Sequence, residues 1–170
     1  MTERRKWLAS SALLGLGTLL MSTLAWPPRP RLVLNASASA PVGLYYVGPA
    51  LGIGVGDLVI ARLPEAARAL AARRRYLPSN VPLVKRVAAG PGDTVCAIEE
   101  GIWVNGRRIA WRLSRDGAAR VMPWWNGCRH LGNGAYFLVM VENTASFDGR
   151  YFGPSATEDI VGAAMPLWTR

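Results

Sequence analysis

Arg4, Arg5 and Lys6 are followed by an uncharged run from Trp7 to Trp26, twenty residues dominated by Leu, Ala, Gly, Ser and Thr. As a helix, a run of that length rises roughly 30 Å, the thickness of a bilayer's hydrocarbon core. Trp7 and Trp26 stand at its two ends, where amphipathic rings favour the membrane–water interface. The basic flank predicts residues 1–6 in the cytoplasm and the rest of the chain outside. A cleaved secretory signal is the competing reading, but it wants a shorter apolar region and a small-x-small site. Ser22-Thr-Leu-Ala25-Trp26 matches that site poorly, and Pro27-Pro28 follows directly. The expectation is therefore a basic flank over 1–6, an uncleaved transmembrane anchor over 7–26 and a stiff, extended stalk over 27–32. An exported domain over 33–170 follows.

That domain reads as short strands broken by Gly, Pro and Asn. The β-branched and aromatic runs are Leu32–Leu34, Gly43–Val47, Leu58–Arg62, Leu83–Val87, Thr94–Ile98, Ile102–Val104, Arg108–Ala110, Tyr136–Glu142 and Ile160–Pro166. Asn105-Gly106 between two such runs signals a two-residue hairpin turn, because both positions tolerate positive φ. Pro64 to Arg75 departs from the pattern. Its helix formers, initial Pro and basic last turn predict one short surface helix inserted between strands. The fold class expected is mainly β. Gly52-Ile-Gly-Val-Gly-Asp57 lacks the Gly-Lys-Ser/Thr and the following helix of a phosphate loop.

Charge raises one class of partner and topology opposes it. Twenty Lys+Arg against eleven Asp+Glu give net charge +9, which suits nucleic acid or an anionic membrane. An exported domain faces the wrong compartment for nucleic acid, so none is expected, and Arg73-Arg74-Arg75 reads as a solvated face. Cys96 and Cys128, outside the cytoplasm, are expected to form one disulfide. A metal site built from Cys96, Cys128 and His130 lacks a fourth ligand, and no metal or cofactor is expected. His130 is the single histidine, set among turn formers, and the carboxylates Glu99-Glu100 and Glu158-Asp159 look like exposed turn charges. Histidine-based and two-carboxylate hydrolysis are both poorly served.

Lysine is the informative residue, because only Lys6 and Lys85 occur beside eighteen arginines. Lys85 lies in Val81-Pro-Leu-Val-Lys-Arg-Val-Ala-Ala89, apolar on both faces of an extended strand. A buried ammonium lowers its pKa, and a neutral amine can take the proton of a serine hydroxyl. On this segment alone, a strand-edge lysine reaching water is the commoner arrangement. A second segment, Asn35-Ala-Ser37-Ala-Ser39-Ala-Pro41-Val-Gly43-Leu-Tyr45, is small and polar on alternate positions. If extended, it turns Asn35, Ser37 and Ser39 one way, with open access to Ser39; an ordinary Ser/Ala loop has the same composition.

Four ordered blocks lie behind the apolar run: N-x-S-x-S-x-P-x-G-x-Y, then G-D-L-V-I, then V-K-R-V-A-A-G-P-G-D, then N-T-A-S-F-D-G-R-Y-F-G-P. Together they resemble the signal peptidase I superfamily, and most of all its TraF-type branch from conjugative plasmid transfer. The likeness covers most of 33–168. It implies a signal peptidase I-like β fold, Ser39 as nucleophile and Lys85 as general base. It also implies Ser37 as an oxyanion-hole hydroxyl beside the Ser39 N–H, Ser146 as a hydroxyl orienting the lysine, and Asp148 with Arg150 as a structural ion pair beneath the site. The housekeeping branch has Ser-Met-x-Pro where this chain has Ser39-Ala40-Pro41, and a second serine where it has Gly149. Ser37 therefore stays open as a rival nucleophile.

The resemblance further implies a single-pass bacterial inner-membrane protein with its domain in the periplasm. Its partners would be an exported pilin-like or signal-peptide-bearing precursor, the lipid bilayer and the conjugative transfer apparatus. A variant outcome has the substrate's own N-terminus capture the acyl-enzyme, giving a cyclic pilin. Other classes are a non-catalytic assembly factor of the transfer apparatus and a self-cleaving repressor on the same dyad. The latter requires a cytosolic chain with a helix-turn-helix.

Overall fold

A computed structural model describes residues 2–25 and 31–170, which divide into two units, 1–30 and 31–170. The first holds helix α1 (Thr2–Ala25). Leu8, Leu13, Leu14, Leu16 and Leu19 are all exposed on it. Ser11, Thr18 and Ser22 return their hydroxyls to Trp7 O (3.0 Å), Gly15 O (2.9 Å) and Leu19 O (2.8 Å), so these polar groups are satisfied within the helix. Among the described residues no helix is long and apolar enough to cross a membrane. Trp26 and Pro27–Pro30, the end of the expected anchor and most of the expected stalk, lie outside the described residues.

The second unit is mainly β. Its strands are β1 (Leu32–Asn35), β2 (Gly43–Val47), β3 (Leu58–Ala61), β4 (Leu83–Ala89), β5 (Thr94–Ile98), β6 (Gly101–Val104), β7 (Arg107–Trp111), β8 (Gly127–His130), β9 (Ala135–Leu138), β10 (Ser155–Ala156) and β11 (Ile160–Thr169). Helix α2 (Glu65–Arg73) joins β3 to β4, and the single turn α3 (Gly149–Phe152) precedes β10. Two antiparallel sheets result, one in the order β1-β2-β11-β3-β4-β9-β10 and one in the order β7-β6-β5-β8.

Alternation explains these strands where one face is buried. Tyr45 and Val47 of β2 point inward with Ile60, Val84 and Met140. Val95, Ala97 and Ile102 of the smaller sheet pack on Ala89 and Phe137 of the larger and on Val139 just after β9. Asn105 and Gly106 adopt φ of 49° and 79°, the doubly positive pair a tight hairpin needs. Helix α2 buries only Ala67 and Ala71, against Leu63, Leu77 and Phe147, so it lies on the sheet by small side chains.

Several segments depart from the expectation, among them α3 and β10, which it does not contain. Residues 127–130, expected as turn, form edge strand β8. Its side chains are exposed, so no apolar pattern marks it; the ladder to β5 and the Cys96–Cys128 disulfide hold it. The strand expected over Tyr136–Glu142 stops at Leu138, because Met140 N–H donates to Asp148 Oδ2 (3.1 Å) and the Met140 carbonyl accepts from Arg150. In the Ser/Ala segment, for which the sequence leaves an extended form and a loop both open, residues 38–40 form a turn and bend.

Candidate active site

Strand β4 sits inside the larger sheet between β3 and β9 and places Lys85 opposite Val59. The side chain is 2% exposed. The connection from β1 to β2 brings Ser37 and Ser39 over it, and the segment after β9 supplies Ser146. Lys85 Nζ donates to Ser146 Oγ at 2.7 Å and to Ser39 Oγ at 2.9 Å. Ser37 Oγ stands 2.9 Å from Ser39 Oγ and accepts the Ser39 N–H at 3.3 Å. Lys85 has hydrogen bonds to Ser39 and Ser146 and none to Ser37. Ser39 is partly exposed, so its hydroxyl opens to solvent on one side and meets a buried amine on the other.

The serine turn is built by a buried amide. Asn35 Nδ2 donates to Ser37 O (3.0 Å), Ala40 O (3.1 Å) and Pro41 O (3.0 Å), while its Oδ1 accepts from Ser37 N–H at 3.1 Å. Asn143 Nδ2 reaches Ala38 O at 3.1 Å, and the Tyr45 hydroxyl holds Pro41 O at 2.7 Å. These contacts fold the segment so that the Ser39 hydroxyl reaches the Lys85 amine and the Ser37 hydroxyl reaches Ser39. The spacing of the segment marks Asn35 as a member but says nothing of this task, and Asn143 and Tyr45 carry no separate signal.

Burial of Lys85 lowers its pKa from 10.5 to about 8; the Asp148 carboxylate raises it and the Arg150 guanidinium lowers it. Desolvation is the larger effect, since an ammonium loses its hydration here and recovers only hydroxyl partners. Asp148 and Arg150 are both 0% exposed and pair at 2.9 Å. Arg150 also donates to Asn143 O (2.7 Å), Trp111 O (3.3 Å) and Met140 O. The carboxylate that could hold Lys85 charged is thus engaged by a cation of its own. Gly149 has no room for a side chain, because a Cβ there would lie 2.9 Å from Leu138 O and from the Phe137 ring.

Ser37, Ser39, Lys85 and Ser146 line one cleft of about 710 Å³. Its walls are largely apolar, including Leu34, Leu63, Val81, Leu83 and Met122, and Ala36, Ala38 and Ala145 keep the space about Ser39 open. Tyr76 and Asp116 close part of it: Tyr76 donates to Asp116, which pairs with Arg120 at 2.7 Å. The Tyr76 hydrogen bond is the main cause holding the Asp116 carboxyl below the usual range. No sequence pattern joins residues forty positions apart. Cys96 and Cys128, bonded to each other in the smaller sheet, do not line the cleft; neither does His130, which contacts Thr94 Oγ1 at 3.3 Å. Among the described residues no three His, Cys, Asp or Glu side chains gather as a metal site. A half-exposed hydroxyl against a lysine with lowered pKa, in an apolar cleft, is chemically suited to acyl transfer.

The chain is similar to several known proteins. The family model described as "Signal peptidase, peptidase S26" matches residues 4–168. The "Plasmid transfer protein TraF" of Escherichia coli is 29% identical over 95% of this chain and 94% of its own. The "Conjugal transfer protein TraF" of Agrobacterium tumefaciens is 33% identical over 80% of this chain and 81% of its own. "Signal peptidase I V" of Bacillus subtilis is 30% identical over 50% of this chain and 56% of its own. A crystal structure of a signal peptidase I from Enterococcus faecalis overlays 65% of this chain and 95% of that one at 19% identity, with a TM-score of 0.38.

Proposed function

The chain belongs to the signal peptidase, peptidase S26 family, and from that premise we propose a membrane-anchored serine endopeptidase that processes an exported precursor for conjugative transfer. The observation that carries the mechanism is Lys85 Nζ at 2.9 Å from Ser39 Oγ. In its neutral form the amine keeps an N–H on Ser146 Oγ and presents its lone pair to the Ser39 hydroxyl. Ser39 Oγ gives that proton to Lys85 and bonds to the scissile carbonyl carbon. The oxyanion so formed takes hydrogen bonds from the Ser39 N–H and the Ser37 hydroxyl, both of which must turn from each other toward it. Lys85 then protonates the departing amine as the C–N bond breaks, leaving an acyl-enzyme on Ser39. Water, deprotonated by Lys85, adds to the acyl carbon and releases Ser39 with its proton restored.

Two observations support a bilayer setting. The uncharged run behind Arg4, Arg5 and Lys6 suits a single-pass anchor with the peptidase domain in the periplasm. In the second unit, Leu32 and Leu34 of β1 and Met165, Leu167 and Trp168 of β11 are exposed on the two strands that pair with β2, on either side of its Leu44 and Tyr46. A contiguous apolar surface of this kind suits contact with lipid. The conjugative setting rests on relatives named for plasmid and conjugal transfer, and the pilin-like precursor on the resemblance of the sequence blocks to the TraF-type branch.

Co-expression of a pilin-type precursor with wild type, Ser39→Ala and Lys85→Ala tests the reading. Processed product is expected only with wild type; cleavage undiminished in either variant overturns the dyad.

A further inference from the structure

Strands β3 and β4 part just beyond the pair Ala61–Leu83. One chain continues through Arg62 and Leu63 into α2, and the other arrives from Ser79 through Pro82. Between them lies a second hollow of about 260 Å³, lined by Arg62, Leu63, Arg68, Ser79, Asn80 and Val81. Leu63 and Val81 also line the cleft that holds Ser39 and Lys85. The two spaces therefore share an apolar partition of two side chains. An extended peptide in the cleft that passes Val81 brings a side chain or its own end into the hollow.

The chemistry of this hollow is unlike that of the cleft. Among the described residues the Arg62 guanidinium makes no hydrogen bond and no ion pair. Arg68 gives Nε and Nη2 to Leu63 O at 3.3 and 3.1 Å, which leaves Nη1 uncommitted and fixes the plane of the group. The Ser79 hydroxyl and Asn80 amide add further donors, and no carboxylate lines the space. Some arginines elsewhere in the unit have work in the fold: Arg150 holds Asp148, Arg120 holds Asp116, and Arg112 holds Glu99 O and Asn126; Arg62 and Arg68 are set apart by lining a common recess. Two guanidiniums converging on a recess with no anion of its own match a planar, bidentate acceptor.

We propose that Arg62 and Arg68 form a carboxylate-recognition subsite that selects the peptide cleaved at Ser39. Its ligand is a carboxylate of the bound peptide, from an acidic side chain or the C-terminus, several residues from the scissile bond. The proposal rests on the peptidase reading above and adds a substrate feature to it. Small residues about Ser39 admit many sequences, and a charge read at a distance narrows them without altering the reacting groups. Because Arg62 is solvent-exposed, the preference weakens as salt rises.

The test uses the full chain in detergent micelles and short alanine-rich peptides carrying one Glu at successive positions. Each has a Gln counterpart, and each is made with a free or an amidated C-terminus. Cleavage gives kcat/KM ratios, and anisotropy of the labelled peptides on Ser39→Ala protein gives Kd ratios without cleavage. One position is expected to favour Glu, or the free C-terminus, by about tenfold in both readouts. Which pair shows the preference tells a side chain from a chain end. Arg62→Gln should bring the ratio to about one, and Arg62→Glu should turn it toward a Lys peptide. Equal ratios for every pair overturn the proposal, as does a preference that survives Arg62→Gln. An Arg62→Gln effect confined to binding of phosphatidylglycerol vesicles also overturns it and assigns the arginine to lipid. Peptides bound with the preference but never cleaved by wild type would remove the peptidase reading and leave the carboxylate site standing. Cleavage without preference does the reverse.

Discussion

Lys85 Nζ lies 2.7 Å from Ser146 Oγ and 2.9 Å from Ser39 Oγ, and its side chain is 2% exposed. A buried amine with only hydroxyl partners is a poor place for a charge, and its pKa is lowered to about 8. The rate should follow that ionisation. With Lys85 as base, kcat/KM rises with pH and levels above about 8, because the protonated amine cannot accept the Ser39 proton. At pH 7 about a tenth of the molecules hold the neutral form. A pH profile on a non-titrating peptide checks this. A profile flat from pH 6 to 9 would remove Lys85 from the proton transfer.

The same burial sets a stability effect of definite sign. The folded pKa, about 8, is below the ordinary value of 10.5, so between those limits the unfolded chain binds more protons and stability rises with pH. Below about 8 both states are protonated and the cost is fully present, at most about 3 kcal/mol. Lys85→Met fills similar space without the charge. It should abolish cleavage yet raise the denaturation midpoint at pH 7, and it should flatten the rise between pH 8 and 10.5. Chemical unfolding of both proteins across that range measures it; a less stable Met variant would mean that the ammonium is well solvated.

Ser146 touches Lys85 and is not placed on the substrate, so its loss should misplace the base. Ser146→Ala is expected to lower kcat by about 10- to 100-fold, the worth of a hydrogen bond to a charged group, with KM little changed. Ser146→Thr, which restores the hydroxyl, should recover part of the rate. A KM effect without a kcat effect, or no gain from Thr, would leave Ser146 a packing residue.

Legibility followed the range of each interaction. The hairpin at Asn105-Gly106, helix α2 and the strand Gly43–Val47 depend on neighbours in sequence, and their residue types reveal them. Lys85 stood out as the single lysine beyond the N-terminal flank, in an apolar run. The resemblance of the surrounding blocks assigned it the role of base, since the run alone suits a lysine reaching water at least as well. What escaped depends on partners far along the chain. Strand β8 shows no alternation because its side chains are exposed and β5 pairs with it through backbone and disulfide. The turn at 38–40 follows from one buried amide, Asn35, collecting three carbonyls. The hollow at Arg62 exists only because β3 and β4 diverge, which neither strand's sequence announces.

Arg150 shows how much of the site hangs on one guanidinium. Itself fully buried, it pairs with the equally buried Asp148 and also holds the carbonyls of Met140, Asn143 and Trp111. Asn143 in turn holds Ala38 O in the serine turn. An ammonium offers three donors on one atom and cannot span these acceptors, so Arg150→Lys should not substitute. Removing the partner leaves Asp148 a buried, uncompensated charge, a cost of about 3–5 kcal/mol. Arg150→Met is therefore expected to lose most of the domain's stability, and Arg150→Lys an intermediate share. In both, the cleavage rate should fall faster than the folded fraction, because the turn bearing Ser39 loosens before the sheets separate. Urea titration at neutral pH, with peptide cleavage assayed in parallel, measures the two losses. If activity tracked the folded fraction point for point, the path from Arg150 through Asn143 to the serine turn would carry no coupling.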